Sequence, residues 1–269
     1  MHYMNDQFRR GLCCSLIAAC VLSGCREAVE PVAIPRITMA AASSLEPAAA
    51  ALLGGFSGIQ PQGDSIAIVT MADRDIPAAL DAGGISAALQ WQEPPAGDWS
   101  ALIGWTGIGF VVNPGNPVEK ISAAQARAIF SGLIRQWEQA GGSSGEIHPF
   151  AYDSDSPWAA LFEGVVLAGS RLTPGAVIVP SAEALPAAIA ADPQSIGFLM
   201  LFHKTPGLRI LNVDGAPADY PGLISGAYPF RIPIFLRARE PVPAEILSFA
   251  GWAQSVSGQA VLMQLQSRE

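Results

Sequence analysis

Apolar residues along this chain gather in short unbroken runs, separated by clusters of Pro, Gly, Asn and Ser. Runs at 37–42, 65–71, 85–91, 109–113, 147–152, 196–200 and 208–213 read as strands: each is too short for a helix and is bounded by turn residues. Helical spacing occupies 48–53, 76–80, 123–130, 158–167 and 182–191. The chain closes on two helices, 243–256 and 258–266, with Ile246, Phe249, Ala250 and Trp252 at helical spacing. Strands and helices alternate, which is the order of an α/β fold.

Turn chemistry marks the boundaries. Asn113-Pro114-Gly115-Asn116-Pro117 stops the 109–113 strand, because proline has no N–H for a ladder and Asn and Gly accept turn geometry. Ser122 is placed to cap 123–130, and Ser131-Gly132 to end it. Ser181 is placed to cap 182–191, and Asp192-Pro193 to end it.

Three strand-to-helix turns carry the polar candidates. Ser43-Ser44 brings two hydroxyls and helix-end N–H groups together, either as an anion site or as a plain cap. Arg74, within Ala72-Asp73-Arg74-Asp75, is either an oxyanion ligand through its planar fork or a surface residue balanced by its aspartates. Tyr152-Asp153-Ser154-Asp155-Ser156-Pro157 is either a ligand loop or an acidic capping segment with no ligand role.

Half of the 269 residues are hydrophobic and 14% are charged, so a large core is available to one domain or to two lobes. The net charge of -8 argues against nucleic acid as a partner, because a phosphate backbone needs a basic footprint. It leaves room for a small anion, which backbone N–H groups can hold. Arg9 and Arg10 followed by the apolar stretch 11–24 predict a lipoprotein signal peptide over 1–24. Leu22-Ser23-Gly24-Cys25 looks like a bacterial lipobox with Cys25 lipidated; the alternative is an ordinary signal peptide with an incidental cysteine. Cys13, Cys14 and Cys20 fall inside that segment, so Cys25 alone would remain, and neither a disulfide nor a thiolate metal site is expected. Residues 25–35 read as a tether with two prolines. The expected location is extracytoplasmic, on the bacterial membrane through a lipid at Cys25, facing the periplasm or the cell exterior.

His148 and His203 have no partner at zinc or triad spacing; His148 reads as structural and His203 as a surface residue. Residues 141–145 fit G-x-S-x-G but lack the leading strand and following helix of a nucleophile elbow. Phosphate-loop and dinucleotide motifs are missing. No enzymatic activity, metal or cofactor is expected.

The stretch 107–137 runs as strand, N-P-x-N-P turn, capped helix and F-S-G-x-I-x-x-W. It resembles the phosphate-binding-protein (PstS-type) family, the solute receptors of phosphate ABC transporters. The matching residues are Val112, Asn113, Asn116, Pro117, Val118, Ile121, Gln125, Ile129, Phe130, Ser131, Gly132, Ile134 and Trp137. Asp192-Pro193 with Ile196-Gly197-Phe198, the return strand 228–235, and Trp252, Ser255, Gly258 and Gln259 extend the resemblance over 37–266. Residues 40–45 are also similar to molybdate-binding proteins, which share the fold.

The resemblance implies a two-lobed α/β fold of the periplasmic binding protein type II superfamily, with mixed sheets, a hinge and an interlobe cleft. Lobe 1 would be 36–110 with 226–269, and lobe 2 would be 111–225. It implies a monomer that captures phosphate or a similar small oxyanion and presents it to an ABC permease. The expected ligand-binding residues are Ser43, Ser44, Arg74, Tyr152, Ser154 and Ser156. The chain departs from the family at these turns. Ser86, Ala87, Ala88 and Leu89 replace a strand that carries an aspartate for protonated phosphate. Asp73, Arg74 and Asp75 replace a glycine/serine turn. Tyr152, Pro157 and Trp158 stand at the arginine, glycine and threonine of R-x-x-x-S-G-T. These departures define the alternative: a relative that kept the scaffold, lost phosphate capture, and binds another solute or acts as an envelope interaction or sensor protein.

Overall fold

The computed structural model describes residues 37–60, 65–203 and 207–267. The predicted signal peptide 1–24, the lipidation site Cys25 and the tether 25–35 lie outside the described residues. The strands are β1 (Ile37–Ala42), β2 (Ile66–Met71), β3 (Ala87–Gln90), β4 (Trp99–Val112), β5 (Lys120–Ile121), β6 (His148–Tyr152), β7 (Val177–Val179), β8 (Ser195–Met200), β9 (Arg209–Ile210), β10 (Asn212–Val213) and β11 (Arg231–Ala238). The helices are α1 (Glu46–Ser57), α2 (Ile76–Asp81), α3 (Ala123–Phe130), α4 (Pro157–Phe162), α5 (Leu185–Ala191), α6 (Tyr220–Ser225), α7 (Ala244–Ala253) and α8 (Val256–Leu265).

Among the described residues, one mixed sheet runs in the order β2-β1-β3-β11-β4-β8-β6-β7, with β9 added beside β4. β2, β1 and β3 are parallel, as are β8, β6 and β7. The antiparallel strands β11 and β4 join these two parallel groups. β4 changes partner along its length: Trp99 to Gly107 pairs with β11, and Ile108 to Val112 pairs with β8. Its side chains follow the same division. The first residues alternate towards solvent, whereas every residue from Thr106 onward is buried.

The partner change occurs where the backbones pass very close. A Cβ on Gly107 would lie 3.0 Å from the Phe230 carbonyl oxygen and 2.8 Å from Leu223, so only glycine fits there. The segment before β11 is pinned at the same point. Tyr228, wholly buried, donates its hydroxyl to the Ile108 carbonyl at 2.7 Å. The Ile108 N–H donates to the Phe230 carbonyl at 3.1 Å, and the Phe230 ring meets Phe110 edge-on at 5.4 Å.

The N-P-x-N-P turn earns its asparagines through tertiary contacts. The Asn113 amide donates to the carbonyls of Ile189 and Ala190 at 3.0 and 2.9 Å, satisfying the last turn of α5. Its oxygen accepts from the Gly115 N–H. Ser122 and Gln125 form a reciprocal capping box on α3. Gly132 ends that helix with φ +78. Trp137 is buried and donates its indole N–H to the Gln194 carbonyl.

Several boundaries differ from expectation. The run 208–213 divides into β9 and β10, which pair with β4 and β5 respectively; adjacent residues serve different partners. α5 starts at Leu185 with Ala184 at its N-cap, so Ser181 does not cap it. The helix expected over 158–167 is α-helical only to Phe162 and continues as a π turn, Glu163–Leu167. The return strand begins at Arg231, because Tyr228 and Phe230 are drawn into the core. His203 is no surface residue: it is half-buried, edge-on to Trp158 at 5.1 Å, and its Nδ1 has no partner among the described residues. No helix among the described residues is long and apolar enough to cross a membrane.

Replacing Tyr228 by Phe should lower stability by about 1–2 kcal/mol, the scale of one buried hydrogen bond and its abandoned carbonyl. Urea unfolding should show a lower midpoint with an unchanged slope. Asn113→Ala should lower stability by about 1–3 kcal/mol in the same measurement, since it uncovers two carbonyls at the end of α5.

Candidate functional site

Three turns converge at the carboxyl ends of parallel strands, the usual ligand face of an open α/β sheet. β1 delivers Ser43 and Ser44 into a 3-10 turn, Ser43–Leu45, ahead of α1. β2 delivers Asp73–Asp75, a second 3-10 turn ahead of α2. β6 delivers residues 153–156 ahead of α4. Together they enclose a cavity of about 210 Å³ lined by Ser43, Asp73, Arg74, Ser154, Asp155 and Ser156, with Ala72, Pro157 and Ala160.

Of the six residues expected from sequence, Ser43, Arg74, Ser154 and Ser156 line this one cavity. Ser44 is wholly buried behind it and donates towards the Asp73 carboxylate at 3.4 Å. Tyr152 is buried, and its hydroxyl donates to the Phe198 carbonyl at 3.0 Å. Burial drives its phenol far above the usual value, with Glu183 adding to the effect. It lines a neighbouring cavity instead.

The donors at the cleft are hydroxyls and one guanidinium. Ser43 donates to the Met71 carbonyl, which leaves its oxygen free to accept. Ser156 caps α4 by accepting from the Trp158 N–H, which leaves its proton free to donate. In the 153–156 loop, the N–H of Asp155 is bonded to the Asp153 side chain and that of Ser156 to the Asp153 carbonyl. Pro157 contributes no N–H at all. Arg74 is extended into solvent, its side chain 86% exposed, and lies only 4.0 Å from Asp75.

Asp73 is the residue that sequence reasoning missed. Its carboxyl lines the cleft and is held by Trp91, Ser44 and Gln92, all of which hydrogen-bond to it. Burial raises it above the ordinary carboxylate value, against the lowering effect of those bonds. Trp91 and Gln92 directly follow β3, whose Ala87, Ala88 and Leu89 are fully buried. The segment after the strand that lacks a carboxylate therefore supplies groups that orient one borne after β2, on the far side of β1. A signal was present in the sequence: an aspartate directly after β2, opposite the serine pair after β1.

Among the described residues, no group of His, Cys, Asp and Glu could hold a metal ion. His148 is tied to Asp192, with Nδ1 2.6 Å from the carboxylate, on the lobe surface. Residues 141–145 form a loop closed by Gly141 in the left-handed conformation, with no strand or helix of a nucleophile elbow.

Comparison with known proteins bears on the fold. A family profile described as PBP superfamily domain matches residues 28–230. The phosphate-binding protein PstS of Bacillus subtilis (strain 168) is 28% identical over 124 residues, which is 46% of this chain and 41% of that protein. The match thus spans about two fifths of the length of that relative. An ABC-type phosphate transport receptor from Vibrio cholerae superposes with a TM-score of 0.74 at 18% identity, covering 86% of this chain and 98% of that one. A putative phosphate ABC transporter substrate-binding protein from Clostridium perfringens, solved with phosphate bound, gives 0.70 at 18% identity over the same shares. The fold is the two-lobed α/β architecture of these receptors.

Because the folded state favours the neutral form of Asp73, wild type should lose stability as pH rises from the unperturbed value of 3.8 through the raised folded value. Asp73→Asn has no such proton. Its stability relative to wild type should climb across that window and then level off, in urea unfolding from about pH 3 to about pH 7.

Proposed function

As this chain belongs to the PBP superfamily domain family, we propose that it is an extracytoplasmic solute-binding protein of an ABC transporter, taking phosphate or a similar small oxyanion in the cleft. It is a binding protein and not an enzyme. The observation that carries this reading is convergence. Residues from three separate turns, chosen from sequence as oxyanion contacts, line one cavity at the carboxyl ends of β1, β2 and β6.

The roles follow from the chemistry. The Ser154 and Ser156 hydroxyls donate to the anion. Arg74 swings from solvent onto it, adding a charge-assisted bond. Asp73 accepts the O–H of a protonated oxyanion, so the cleft favours hydrogenphosphate over sulfate, which carries no proton near neutral pH. Ser44 acts through Asp73. The lobe assignment, 36–110 with 226–269 against 111–225, belongs to the same reading and is supported by the change of partner between Gly107 and Ile108 on β4. The same reading includes a monomeric state, a permease that recognises the closed form, and a lipid anchor at Cys25 on a bacterial membrane, facing the periplasm or the cell exterior.

A second reading has its own observations. Tyr152 stands where the resembled family has an arginine, and its hydroxyl is committed to Phe198. Asp73 and Asp155 both face the cleft. On this reading the scaffold is kept, phosphate capture is lost, and another solute or an envelope interaction or sensor role replaces it. A native mass spectrum of freshly purified protein separates the two: retained phosphate supports the first, and a different retained mass supports the second.

Calorimetry on the purified protein should show saturable heat with phosphate and none with sulfate. Arg74→Gln should weaken phosphate by about tenfold, the scale of one charge-assisted hydrogen bond. Asp73→Asn should narrow the gap between phosphate and sulfate by a similar factor, because an amide can donate to sulfate. No heat at millimolar phosphate would remove this ligand and leave the fold untouched.

A further inference from the structure

A second cavity, of about 240 Å³, lies beside the cleft and shares only Ser154 with it. Its floor is aromatic. Phe162 stacks on Phe198 with ring centroids 3.6 Å apart, and Tyr152 meets Phe198 edge-on at 5.1 Å. Leu172 and Ile178 supply an apolar wall. Ile178, on the edge strand β7, is 50% exposed, so the fold leaves a large hydrophobe uncovered at the mouth of the cavity.

The charged groups at this cavity are of one sign. Asp153 and Glu163 stand exposed at its rim, and among the described residues no lysine, arginine or histidine lines it. Glu163 opens the π turn that follows α4, and such wide turns recur at functional sites. A small anion would meet two carboxylates here with no cation to offset them. A neutral apolar molecule would leave the carboxylates unused.

We infer that this cavity is a second ligand site, for a small organic ammonium ion with an apolar body. The ammonium sits at the rim between Asp153 and Glu163, where two carboxylates of one sign meet it at short range. The apolar body lies against Leu172 and Ile178 and covers surface that the chain leaves open. Ser154 is common to both cavities, but the site does not depend on the phosphate reading, because Ser43, Asp73, Arg74 and Ser156 take no part in it and Ser154 has no role in holding the ammonium.

The test is a 15N NMR titration of the purified protein with phenethylammonium and with neutral 2-phenylethanol, two probes of nearly equal size. Amide shifts should centre on Asp153, Glu163 and Ile178, and the ammonium should bind about tenfold more tightly than the alcohol, the scale of a cation between two partly exposed carboxylates. The double variant Asp153→Asn with Glu163→Gln should abolish that preference. Both residues are exposed, and the Asn oxygen can still accept from the Asp155 N–H, so the loop is kept. Ile178→Trp should block both probes by filling the mouth. Absence of binding, equal affinity for the two probes, a preference that survives the double variant, or shifts centred on Ser43 and Asp73 would each overturn the inference.

Discussion

One strand belongs to both halves of this protein, and the rest of the structure depends on how it is held. β4 has 14 residues, a length of roughly 46 Å when extended. Its first part completes the β2-β1-β3-β11 group and its last part completes the β8-β6-β7 group. A continuous backbone at the junction fixes the register of both halves at once. The constraint is tightened by the returning chain: Tyr228 and Phe230 bond to Ile108 from the side, and Gly107 lets the two backbones approach. The ladder between β4 and β11 carries a register shift between Ile234 and Phe235, within a few residues of this junction.

The same arrangement explains where the cleft forms. β1 and β2 point their carboxyl ends at the region that β6 reaches from the other half, so three turns meet across the junction. Each turn is short and runs directly into a helical segment, which leaves hydroxyls and carboxyls facing inward. The balance of charge at the cleft is mixed. One exposed guanidinium faces two carboxylates, and one of these is raised by burial towards its neutral form.

The core of the second half is a chain of aromatic contacts. Phe110, Phe130, Phe162 and Phe198 meet one another mainly edge-to-face, the arrangement favoured by ring quadrupoles. Phe110 and Phe130 come from the strand and the helix of the N-P-x-N-P segment, so that segment is a packing unit. Its asparagines and glycine serve carbonyls and turns rather than solute. This is why a motif that identifies the scaffold is silent about what the scaffold binds.

Local chemistry was legible in the sequence wherever one short stretch decided it. β1, the Ser122 cap of α3, the Gly132 stop and the end of α5 at Asp192 all rest on propensity, capping and turn geometry within a few residues. The serine pair and Arg74 were legible as candidates because a strand-to-helix turn presents such groups by construction. What the sequence could not contain was partnership. The division of 208–213 into β9 and β10 depends on which strand lies alongside. The π turn after α4 likewise leaves no mark on the 3.6-residue spacing of its apolar positions. Burying Tyr152 against Phe198, and bringing Trp91, Gln92 and Ser44 to Asp73, required segments far apart in the chain to meet. Sequence alone therefore fixed the scaffold and named the turns. Tertiary packing decided which side chains face the cleft, because burial and hydrogen-bond partnership are properties of neighbours in space.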